Sequence, residues 1–165
     1  MTFPAGLLDA FETARHSTFR LETLPFYAGD PNFDRWLVGE PWQDTESKAH
    51  WCDLVRRRTA GGVAMQRVHL VTEPLSDYLR FELEWSYPPN VKAGEDVRVL
   101  VADYWGATDF WLFDDRELWV MHYDVDGQMA TPSRASTAAA LGKARHWRGA
   151  ALEQSVPLAE YLTPA

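Results

Sequence analysis

The sequence predicts an α/β (or α+β) single domain: a mixed β-sheet with a strand–helix–strand unit, a β-hairpin and flanking helices. Three observations carry that expectation. Residues 63–71 and 97–101 are strand-like runs separated by a segment that can coil into a crossover helix. Asp109-Phe110-Trp111-Leu112-Phe113-Asp114-Asp115 and Leu118-Trp119-Val120-Met121-His122-Tyr123-Asp124 are two apolar segments whose carboxylates bracket a tight turn. At 165 residues the chain makes one domain most simply, since a chain of that size buries about 68–70% of its unfolded surface without a staple.

Taken in order, residues 1–18 form an amino-terminal helix and arm. Leu7, Leu8, Phe11 and Ala14 share one stripe of a helix over 4–15, with Pro4 near its start. Residues 19–62 read as a loop followed by a helix. Pro25, Gly29, Pro31, Gly39 and Pro41 punctuate 19–44, while Phe26, Tyr27, Phe33, Trp36 and Trp42 imply that this loop packs onto the domain. The helix over 45–60 is capped by Asp44 or Thr45 and carries Trp51, Leu54 and Val55 on its apolar stripe. Arg56-Arg57-Arg58 complement its dipole, and Gly61-Gly62 end it.

Residues 63–127 form the sheet core. In the strand 63–71, Val63, Met65, Arg67, His69 and Val71 alternate with Ala64, Gln66, Val68 and Leu70. Both faces are largely apolar, as in an inner strand covered on two sides. Arg67 and His69 therefore need partners or an exit to the strand's end. The strict alternation over 79–87 fits a strand. Pro74, placed for a first helical turn, and the shared face of Leu75, Tyr78, Leu79 and Leu83 decide for a helix that Pro88-Pro89-Asn90 end. Asp124-Val125-Asp126-Gly127 lacks most ligands of a calcium loop and reads as a turn. Residues 128–165 are a helical segment, with an alanine-rich helix from about Ser133 to Glu153 and 157–162 packed behind it.

Composition narrows the function. A net charge of −8 argues against an electrostatic grip on nucleic acid. Arg134, Lys143, Arg145 and Arg148 nevertheless stand in a stretch free of acids, which fits either an anionic partner or a solvated helix face. Cys52 is the single cysteine, so no disulfide framework arises and a reducing cytoplasm fits. Met1-Thr2-Phe3-Pro4 do not open a signal peptide, and no apolar run approaches the ~20 residues of a membrane span. No zinc spacing, phosphate loop or nucleophile elbow occurs, so no metal or cofactor is expected. Eight tryptophans serve mostly the core, with one or two free to act as a platform.

The candidate ligand-binding residues are Arg67, His69, Tyr78, Arg80, Arg98, Asp109, Trp111 and Asp114, with Glu95, Asp96 and Asp115 alongside. In a parallel unit the ends of the strands 63–71 and 97–101 share one sheet edge, where ligands gather, and Arg67 and Arg98 would offer planar forks to a carboxylate or phosphate. The competing reading is an internal ion-pair network, Arg98 with Asp114 or Arg67 with Glu82, locking helix to sheet.

Phe19-Arg20-Leu21-Glu22-Thr23-Leu24-Pro25, Glu73-Pro74-Leu75-Ser76-Asp77-Tyr78-Leu79-Arg80-Phe81-Glu82, Ala93-Gly94-Glu95-Asp96-Val97-Arg98 and the 109–115 run together resemble domain of unknown function 6879, widespread in actinomycetes, over most of residues 15–163. That resemblance implies a cytoplasmic protein without assigned activity, often encoded near helix-turn-helix regulators, and hence a regulatory or partner role. A looser resemblance is to one half of the phospholipase-D-like fold. That family's His-x-Lys pattern is missing, since His122 is followed by Tyr123 and Asp124. The leading expectation is a non-catalytic domain that binds a partner protein, such as a transcriptional regulator, or a small anionic ligand. The alternative is a hydrolase or phosphodiesterase-like enzyme using Asp109, Asp114, Asp115 or His122 at the hairpin rim, and a third option is DNA contact through 134–148.

Overall fold

The computed structural model describes residues 3–103 and 105–163; Met1 and Thr2 of the amino-terminal stretch lie outside them. A seven-stranded sheet organises the chain. Its strands are β1 (Ser17–Glu22), β2 (Ala64–Val71), β3 (Asp96–Val101), β4 (Phe110–Phe113), β5 (Glu117–Val120), β6 (Ser133–Ala135) and β7 (Val156–Pro157). They lie in the order β6-β5-β4-β1-β2-β3-β7, with β1, β2 and β3 parallel and every other neighbouring pair antiparallel.

β2 is an inner strand and runs parallel to β3 with Val71 opposite Val101, so the two strand ends share an edge. The crossover between them is helical but not regular. α4 (Asp77–Phe81), capped by Ser76 Oγ, widens into a π turn over Glu82–Ser86 and continues as α5 (Tyr87–Ala93). Pro88-Pro89 therefore do not end the element. The Tyr87 N–H bonds the Glu82 carbonyl, and the prolines occupy the first positions of a renewed helix, where no intrahelical N–H is required. Gly94, at φ 116°, supplies the left-handed cap that ends it.

Residues 17–22 are a central strand and not the start of a loop. Phe19 and Leu21 are fully buried on one face of β1, while Thr18, Arg20 and Glu22 are buried on the other. The proline and glycine punctuation over 19–44 predicts a loop from Phe19 on, but β1 pairs with both β2 and β4. The loop that follows packs down as expected and contains α2 (Pro31–Leu37); Phe26 and Phe33 meet the Tyr78 ring edge-on.

α1 (Ala5–Thr13) buries Leu7, Ala10 and Phe11, while Leu8 is turned out, 46% exposed. α3 (Glu46–Ala60) starts at the Thr45 cap. α6 (Ala138–Gln154) begins later than expected, because 133–135 add an edge strand to β5. It covers the face of Phe19, Leu21, Val68, Leu70, Leu100 and Leu112. α7 (Leu158–Tyr161) packs beside β3 with Leu158 buried. On the opposite face, α1 lies over Trp111, Phe113 and Trp119, and α3 over Val63 and Met65.

Between β4 and β5, Asp114 and Asp115 adopt φ 50° and 56°, the left-handed conformation that suits a tight hairpin and that Asp tolerates better than most residues. No described helix is long and apolar enough to cross a membrane.

Candidate functional site

The chemistry concentrates on the sheet face turned toward α3 and α5. In β1 and β2 the register sets Arg20 beside Arg67 and Glu22 beside His69, all four on that face. Arg67 Nη1 donates to Glu22 Oε1 at 2.6 Å, and its Nε donates to Glu95 Oε1 at 2.9 Å. Trp51 Nε1 holds the other Glu95 oxygen at 3.0 Å. The Arg67 guanidinium also lies 5.5–5.7 Å from the ring centres of Trp111, Tyr87 and Trp51, an aromatic cage that lowers the cost of burying it. Arg20 Nη2 donates to Asp109 Oδ2 at 2.8 Å and to the Tyr123 hydroxyl at 3.0 Å, and its Nε reaches Glu22 at 3.4 Å.

Glu22 is the hub. Burial raises its pKa, but Arg67, Arg20 and His69, with a hydrogen bond from the Tyr87 hydroxyl at 2.6 Å, outweigh burial and hold it well below the usual carboxylate range. His69 is fully buried. Its Nε2 faces the Leu24 carbonyl at 2.9 Å and must donate there, while Nδ1 lies 3.1 Å from Glu82 and 2.8 Å from the Tyr87 hydroxyl. Burial opposes the imidazolium, yet Glu82, Glu22 and the Leu24 carbonyl raise its pKa to about 9. Tyr78 completes the cluster by donating to Glu82 at 3.1 Å.

Asp109, just before β4, is closed as a base. Its Oδ1 accepts from the N–H and hydroxyl of Thr23, and its Oδ2 from Arg20 and Tyr27, which fills the roughly four lone-pair sites of a carboxylate.

Five expected residues do not join this cluster. Arg98 pairs in register with Val68 and so points to the opposite face, where it donates to Ser155; Asp96 lies beside it. Arg67 and Arg98 therefore do not converge, and neither Arg98–Asp114 nor Arg67–Glu82 is a pair. Arg80 is exposed and bonds Asp77. Asp114 sits at the far end of β4, accepting the backbone N–H groups of Arg15, His16 and Ser17, an arrangement that anchors the start of β1. Asp115 pairs with Arg148 of α6. Arg67, His69, Tyr78, Asp109 and Trp111 do come together, and they gather residues not singled out from the sequence: Arg20, Glu22, Tyr87 and Lys48. The available signal was Phe19-Arg20-Leu21-Glu22, where two apolar residues alternate with two charges of opposite sign.

A cleft of about 290 Å³ opens onto this cluster, lined by Arg20, Lys48, Trp51, Arg67, Tyr87 and Trp111 among others. Lys48 Nζ donates to the Ser86 carbonyl and hydroxyl and to Asn90 Oδ1, and burial together with Arg67 lowers its pKa. Arg20 Nη1 is buried and has no hydrogen-bond partner among the described residues. A second cavity of about 460 Å³ lies beyond the carboxyl ends of β1 and β2, lined by Leu24, Leu70, Trp105, Val120 and His122 among others. Among the described residues no group of three or more His, Cys, Asp and Glu side chains is placed to hold a metal ion.

Residues 5–163 match the family described as a domain of unknown function (DUF6879). The chain belongs to that family. Among solved structures, the DUF6879 domain is similar in fold to Nuc of Salmonella typhimurium, a phospholipase D family member, with a TM-score of 0.54 at 8% identity, covering 92% of this chain and 87% of that one. No curated protein sequence matches it.

Proposed function

We propose that this DUF6879 domain is a non-catalytic, cytoplasmic binding module that takes a small anionic ligand into the cleft over Arg20 and Arg67. The observation that carries the reading is the pair of guanidinium groups lining the cleft, in which Arg20 Nη1, buried, and Arg67 Nη2 have no hydrogen-bond partner among the described residues. A buried guanidinium N–H without an acceptor costs about 1–3 kcal/mol, which an incoming oxyanion would recover. Lys48 and the aromatic rings of Trp51 and Trp111 stand at the same opening. The acid–base groups an enzyme would need are dispersed: Asp114 and Asp115 serve the hairpin turn, and Asp109 is filled with donors. In this reading a protein partner such as a transcriptional regulator would respond to occupancy of the cleft.

Titration of the protein with acetate, sulfate and phosphate, followed by its denaturation midpoint, tests the proposal. A ligand at 100 times its Kd should stabilise the fold by about 2.7 kcal/mol. Ser47→Trp, which plugs the exposed rim, should abolish the response while leaving the unliganded midpoint nearly unchanged. If no anion raises the midpoint, or the plugged variant responds equally, the cleft is not the site.

A further inference from the structure

We infer that the ligand is an organic monocarboxylate whose carboxyl group meets Arg20 and whose apolar body passes Met121 and Tyr123 into the larger cavity. This rests on the anion reading of the cleft and adds the chemistry of the rest of the molecule.

The two cavities are neighbours: Met121 and Tyr123 line both. Tyr123 is held at that boundary by the Arg20 N–H bonded to its hydroxyl and by an edge-on contact with Tyr27 at 5.0 Å. The larger cavity is walled mainly by apolar side chains, Leu24, Leu70, Trp105 and Val120 among them, and its volume of about 460 Å³ suits a ligand body. It also lies beyond the carboxyl ends of parallel strands, where α/β sheets commonly receive ligands.

Charge fixes the orientation. Asp103 and Asp124 line the larger cavity and repel an anion, so the acidic group belongs at the Arg20 end. The same aspartates repel a second acidic group on the ligand body, so the ligand carries one carboxylate. Around the cleft Arg20, Arg67, Lys48 and the imidazolium of His69 face Glu22, Glu82, Glu95 and Asp109, so the cluster offers the carboxylate unfilled donors, Arg20 Nη1 and Arg67 Nη2 among the described residues, and no excess charge. A flat carboxylate also matches a guanidinium edge.

The test compares acetate, 3-phenylpropanoate and the uncharged 3-phenylpropan-1-ol, read by tryptophan fluorescence and by the denaturation midpoint. The expected result is 3-phenylpropanoate binding at least about tenfold more tightly than acetate, since a phenyl ring leaves water, with the alcohol weaker than its acid. Ala107→Trp and, independently, Thr108→Trp, which fill the larger cavity, should erase that advantage and leave the acetate response intact. Equal affinities for the two acids, or an advantage that survives both filled variants, overturn the inference while the anion reading stands. No response to any anion, in protein shown to be folded by circular dichroism, overturns both.

Discussion

Raising the pH from 5 to 8.5 should remove a measurable part of the folding stability through one residue, His69. Its ordinary pKa is about 6.5, and in the fold burial is overcome by Glu82, Glu22 and the Leu24 carbonyl, which raise it to about 9. A folded-state pKa above the unfolded one means that the folded state holds the proton more tightly. The stabilisation is then complete below pH ~6.5 and is lost as pH rises through the folded value. The shift of roughly 2.5 units at 1.36 kcal/mol each amounts to about 3 kcal/mol at pH 5, of which about 1 kcal/mol remains at pH 8.5. Urea unfolding at pH 5, 6.5, 7.5 and 8.5 measures this directly, and His69→Gln supplies the control because it cannot titrate. The wild type should lose about 2–3 kcal/mol more than the variant across that range. An NMR titration gives a second readout, with the imidazole still protonated at pH 8. Parallel pH profiles for wild type and variant, or an imidazole titrating near its solution value, would refute the electrostatic account of the cluster.

Arg67→Ala should destabilise by about 3–5 kcal/mol in urea unfolding, because it strands buried carboxylates of Glu22 and Glu95. Arg98→Ala, on the opposite face, should cost about 1 kcal/mol and leave any ligand response of the cleft unaltered. Asp114→Ala should cost about 2–4 kcal/mol, since three backbone donors lose a charged acceptor and a left-handed residue becomes alanine. Gly94→Ala should lower stability by about 1–2 kcal/mol, with the new Cβ 2.9 Å from Thr59 Oγ1 at a φ of 116°.

The sheet was legible in the sequence wherever apolar runs carry it: β2, β3 and the β4–β5 hairpin are read from their own residues. β1 was not, because half of its side chains are buried charges whose partners lie on β2, β4 and the crossover, far away in sequence. Arg98 was misjudged for a related reason. Alternation tells which residues share a face within one strand, but the register between β2 and β3 sets Arg98 level with Val68, and one residue of register decides the side. The helix through 77–93 was anticipated only up to Pro88-Pro89, since a π turn that spares their missing N–H groups leaves no local mark. The site follows the same division. Arg67, His69 and Asp109 announce themselves as polar residues in apolar runs, whereas Arg20 and Glu22 become visible only once their strand is placed.

The widened turn at Glu82–Ser86 has an effect on the chain beyond itself. One surplus residue advances everything after it by about 100° around the helix axis. Tyr78 reaches the buried charges from before the bulge and Glu82 from its first residue, and Tyr87 and Asn90 reach the same centre from after it. Excising a single residue there would restore a smooth spiral and swing the Tyr87 hydroxyl away from Glu22. The irregular coil is what lets one crossover touch the centre twice.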